Sequence, residues 1–69
     1  MIQSDRELEV TLERIARCQR QLSHLRNVES NVANYRASAS GYLAEVDRMQ
    51  REVREYLMLH PTELSGRPV

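Results

Sequence analysis

Residues 35–56 read YRASASGYLAEVDRMQREVREY, and the spacing inside this stretch decides the fold. Tyr35, Ala39, Tyr42, Val46, Met49, Val53 and Tyr56 recur at steps of 4, 3, 4, 3, 4 and 3. That heptad rhythm keeps one line of side chains turned toward a neighbouring helix. Leu43 and Leu57 sit beside the line and widen the apolar face beyond what one partner helix covers. The helix is expected over about 32–59, closed by His60-Pro61 because proline disfavours a helical residue before it. Its weak point is Ser38-Ala39-Ser40-Gly41, where two readings are open. Either small side chains admit a close neighbour, or the helix breaks there and truly starts at Ser40.

Working upstream, Asn27-Val28-Glu29-Ser30-Asn31 concentrates turn and capping residues and predicts a short connection, with Ser30 or Asn31 capping the second helix. Before it, Ser4-Asp5-Arg6-Glu7 fits a capping box, so a first helix should begin at Asp5 and run to about 28. Leu8, Leu12, Ile15, Cys18, Leu22 and Leu25 form its apolar stripe. Asp5, Glu7 and Glu9 near its start and Arg26 near its end both suit the helix dipole.

Two helices joined by so short a turn must run antiparallel. The expected fold is therefore all-α, an antiparallel two-helix hairpin over 1–60 that dimerises into a four-helix bundle, followed by a flexible tail over 61–69. The antiparallel register would lay Asp5, Glu7, Glu9 and Glu13 beside Arg48, Arg51 and Arg54. Likewise Arg17, Arg20 and Arg26 would approach Glu45 and Asp47. Such exposed pairs select orientation more than they stabilise.

Composition bounds the rest. At 69 residues the chain is one small unit, and isolated cores of that size contribute little stability. Ten Arg against ten Asp plus Glu give no net charge, so nothing pulls the chain generically onto nucleic acid or anionic lipid. Two Ile, eight Leu and six Val make 16 of 69 residues, above the level of about 20% below which charged chains stay disordered. With no Phe or Trp, burial rests on aliphatic side chains, Met, Ala and three Tyr. No apolar run is long enough for membrane insertion, and the acidic start does not suit an export signal. Cys18 stands alone and excludes an intramolecular disulfide or a Cys-based metal site, consistent with a reducing cytoplasm.

Chemistry-bearing constellations are sparse. His24 and His60 share no metal-ligand spacing, so no metal is expected. The acidic pairs Glu9/Glu13 and Glu52/Glu55 read as solvated faces, and Cys18 and His24 lie nearly two turns apart, too far for a nucleophile and its base. Gly41 and Gly66 are isolated, so there is no glycine-rich phosphate loop. No catalytic residue, cofactor or small-molecule substrate is expected. Arg14, Arg17 and Arg20 occupy the side of the first helix away from its stripe and could touch phosphate, although Glu13 interrupts them.

The segments Asp5–Arg14 (DRELEVTLER) and Asn31–Gln50 (NVANYRASASGYLAEVDRMQ) resemble small, uncharacterised stand-alone bacterial helical-hairpin proteins, some in antitoxin-like company. Those proteins often carry Pro where this chain has Val32, a residue that would fix the first turn of the second helix. The resemblance implies no catalytic motif. The function expected from the sequence is a non-enzymatic protein-interaction module, either a homodimer or a heteromer with an antitoxin-like role. Its interaction residues are Leu8, Leu12, Ile15, Leu22, Leu25, Tyr35, Tyr42, Leu43, Val46, Met49, Val53, Tyr56 and Leu57. The alternative is a small nucleic-acid-binding regulator using Arg14, Arg17 and Arg20.

Overall fold

In a computed structural model, residues 1–64 are described, Leu64 by its backbone alone. Two long helices, α1 (Asp5–Val28) and α2 (Val32–Met58), pack along one another and are followed by a single helical turn, α3 (Pro61–Leu64). No strand occurs among the described residues. The chain extends over 57 × 16 × 12 Å.

Both long helices start on side-chain caps. The Ser4 hydroxyl accepts from the Glu7 amide at 3.2 Å, and the Asn31 side chain accepts from the Asn34 amide at 2.9 Å. Each satisfies one of the amides that a helix start leaves without an internal partner. The reciprocal half of the capping box is displaced by one residue: the Glu7 carboxylate reaches the amide of Gln3, at 2.6 Å, rather than that of Ser4. That longer reach draws the N-terminal arm back, and Ile2 is 4% exposed. The Met1 ammonium lies 3.8 Å from Glu52 on α2.

Serine and glycine do not break α2. It runs unbroken past Gly41, and a Cβ built on Gly41 would meet nothing within 4 Å. The reading of a break therefore fails; of the small residues, Ala39 is buried in the seam against α1 while Gly41 faces open space, and capping and the packed seam carry the helix through its weak residues.

The tail expected over 61–69 is a helical turn in its first four residues. Pro61 ends α2 and also opens α3, with its ring at the first helical position, where a missing amide costs nothing. Glu63 completes the turn: its carboxylate accepts from the His60 amide at 2.9 Å, and its own amide donates to the His60 carbonyl at 2.8 Å. The remainder of that predicted tail, 65–69, lies outside the described residues.

At the middle of the hairpin Ile15, Val46 and Met49 are buried together, with Cys18 and Val53 packed against them. The open end is pinned by Tyr56, whose hydroxyl donates to Asp5 at 2.6 Å. That bond, reinforced by burial of the phenol and by the Asp5 and Glu7 charges, pushes the Tyr56 hydroxyl up to about 12.

Candidate interaction surface

The seam of α2 is the predicted one: Ala39, Val46, Met49 and Tyr56 are buried, and Tyr35, Tyr42 and Val53 half-buried. On α1 the predicted stripe needs one correction. Leu8, Ile15, Cys18, Leu22 and Leu25 do face inward, but Leu12 is 46% exposed, and the half-buried residue at that level is Thr11. With Thr11 in place of Leu12 the inward positions step 3, 4, 3, 4, 3, the same heptad rhythm as α2. A seam shared by two long helices demands that regularity. Thr11 fits because its hydroxyl is satisfied by the Glu7 carbonyl at 2.8 Å, which leaves its methyl to pack.

Each helix then has two flanks. In heptad letters the inward residues of α1 are Leu8, Ile15 and Leu22 at a, and Thr11, Cys18 and Leu25 at d; on α2, Ala39, Val46 and Val53 are a, and Tyr35, Tyr42, Met49 and Tyr56 are d. Both helices are right-handed and run in opposite directions, so one step beyond d turns toward the same side of the hairpin on each. This e flank carries Leu12 and Gln19 from α1 and Leu43, Gln50 and Leu57 from α2, with Arg26 and Arg36 near the turn and Asp5 at the open end. The opposite g flank, one step before a, carries Glu7, Arg14 and Gln21 from α1 and Ser38, Glu45 and Glu52 from α2. Their juxtaposition is visible in two open grooves. One is lined by residues that include Glu7, Arg14 and Glu52, the other by residues that include Arg14, Gln21 and Glu45.

The flanks differ in chemistry. On the e flank Leu43 is 47% exposed and Leu57 63%, with Leu12 between their levels on the facing helix. On the g side Arg48 binds Glu45, and lies 3.2 Å from Glu52, one turn further along. The hydrogen bond from Arg48 lowers the Glu45 carboxyl below its ordinary range, and the positive charges of Arg48 and Arg14 add to it against the opposing effect of burial. Among the described residues no Arg–carboxylate bridge spans α1 and α2, although the register does bring Glu7 and Arg48 into one groove and Arg17 and Glu45 into another, as expected. Partners three and four residues away on the same helix are nearer than those across the seam, so Arg48 pairs with Glu45 and Glu52, and Arg17 sits 3.8 Å from Glu13.

Arg14, Arg17 and Arg20 are exposed and adjoin one another through Arg17, with acids set among them. Arg14 stands beside Glu45 and Arg17 beside Glu13, while Arg20 lines an adjoining groove with Arg17, Gln21, His24, Leu25 and Tyr42. Among the described residues no cluster of three or more His, Cys, Asp or Glu is placed to hold a metal ion, and no helix is long and apolar enough to cross a membrane. Sequence reasoning missed two seam residues. Thr11 was legible from the heptad step, whereas Ile2 lies outside any periodic segment and only the Glu7–Gln3 bond marks its return. The chain matches no family model, no curated protein and no solved structure.

Proposed function

We propose that this chain is a non-enzymatic protein-interaction module that assembles with a second copy through its e flank into a four-helix bundle. The observation that carries the reading is the exposure of Leu12, Leu43 and Leu57 on one side of a hairpin whose other side, Met1 and Val10 apart, is charged and internally paired. Two helices make a single layer, and a stable core requires a second layer across it. The dimensions support this. The radius of gyration is 16.0 Å, against about 11 Å for a compact chain of this length. The accessible surface is 5715 Å², whereas a globular monomer of 8.1 kDa exposes about 4,500 Å². The excess exceeds the roughly 800 Å² that each partner contributes to a standard interface.

Sedimentation equilibrium over a micromolar concentration series tests the proposal. A dimer is the expected species. A folded monomer of 8.1 kDa with a cooperative melt would overturn it, and so would a monomer that becomes ordered only with a different protein.

A further inference from the structure

The e flank is graded in charge along its length. At the turn end Arg26 on α1 and Arg36 on α2 lie level with one another, both exposed and, among the described residues, neither within ion-pair distance of a carboxylate. The middle holds Gln19 level with Leu43, then Leu12 level with Gln50. At the open end Asp5 stands level with Leu57, in the register fixed by the Tyr56–Asp5 bond. From this gradient we infer that the second copy lies on the e flank with its turn at the opposite end of the bundle. The inference rests on the self-association proposed above.

Two arrangements with two-fold symmetry place e flank on e flank. With both turns at one end, Arg26 and Arg36 of each copy meet, four guanidinium groups with only Glu29 of each copy, which lines a groove beside Arg26, to offset them. With the turns at opposite ends, Arg26 of each copy comes to the Asp5 of the other, and this pair forms twice. The Leu43 level of one copy meets the Leu12 level of the other, so each glutamine faces a leucine stem and the leucines interleave. In this arrangement α1 lies antiparallel on the α1 of the second copy, which also brings Arg26 at a helix C-terminus to Asp5 at a helix N-terminus.

Ser30 lies in the turn and is exposed, so a spin label there reports the arrangement directly. Ser30→Cys in a Cys18→Ser background, labelled and checked for native helicity, is measured by double electron–electron resonance. Turns at opposite ends of helices of this length place the labels about 45 Å apart. A separation below about 20 Å in a dimer would overturn the arrangement while leaving self-association intact. A labelled protein that sediments as a monomer, like the unlabelled chain, would overturn the proposed assembly itself. Charge reversal adds a test by sign. Arg26→Asp should weaken the dimer about threefold or more; tighter association of Arg26→Asp would indicate relief of an arginine cluster and refute the inference.

Discussion

Leu43→Ala separates an interface from an incidental apolar surface. Complete burial of a leucine side chain contributes about 1.5–3 kcal/mol. The hairpin leaves Leu43 47% exposed, so about 1 kcal/mol of that remains for a partner to supply. The side chain occurs once in each copy, and the dimer should lose about 2 kcal/mol, a rise of about 30-fold in its dissociation constant. Alanine is the better helix former, so α2 itself is not weakened by propensity. Gln21→Ala, on the g flank, is the matched control and should leave association unchanged. Sedimentation equilibrium gives both constants, with circular dichroism to show that helicity is retained. If Leu43→Ala changes the constant by less than about threefold, or if Gln21→Ala changes it as much, the assignment of the two flanks is wrong.

Other consequences are as direct. Gly41→Ala should stabilise by about 0.8–1 kcal/mol, because the added methyl meets open space on a helical backbone; a lower thermal midpoint would show that the backbone there is not free to accept it. The Tyr56 hydroxyl, held up to about 12 against an ordinary 10.0, favours the folded state while protonated. Its contribution should be complete below pH 10 and be lost as pH rises toward 12. The difference in thermal midpoint between the native chain and Tyr56→Phe should therefore shrink across that window, and a difference independent of pH would refute the Tyr56–Asp5 contact. Binding to mixed RNA and DNA should be no tighter than about 10⁻⁴ to 10⁻⁶ M at physiological salt. Replacing Arg14, Arg17 and Arg20 with Gln should leave helicity intact, whereas selective nanomolar binding abolished by that triple substitution would favour the nucleic-acid reading.

What the sequence discloses, and what it hides, follows from how each interaction is encoded. The α2 seam was readable because every inward position is occupied by an apolar or small residue at a constant step, and the α1 limits because Ser4 and the Asn27–Asn31 cluster punctuate them. The α1 seam was misread at one level because hydrophobicity favours Leu12, whereas geometry requires the residue before it. Ile2 could not be found by periodicity, since a carboxylate–amide bond and not a repeat brings it in. The cross-helix charges do come near one another, Glu7 to Arg48 and Arg17 to Glu45, but residue type does not say that the direct bridges form within one helix. For the surface, Leu43 and Leu57 were recognised as lying beside the seam, but their alignment with Leu12 required the corrected register of α1.

The contrast between the two flanks also bears on how far association can proceed. A hairpin apolar on both sides would present a fresh adhesive surface after every addition, and layers could accumulate into open-ended stacks. Here the face left outward after pairing through Leu12, Leu43 and Leu57 carries Glu7, Arg14, Glu45 and Glu52, with Glu45 and Glu52 engaged by Arg48 of their own helix. Such a face keeps its water, and its exposed Met1 and Val10 lie among Glu7, Arg14, Arg48 and Glu52 and do not form an apolar row of their own. Growth through the leucine flank is thereby self-terminating, and the same ion pairs that contribute little to the stability of one hairpin act to keep the assembly finite.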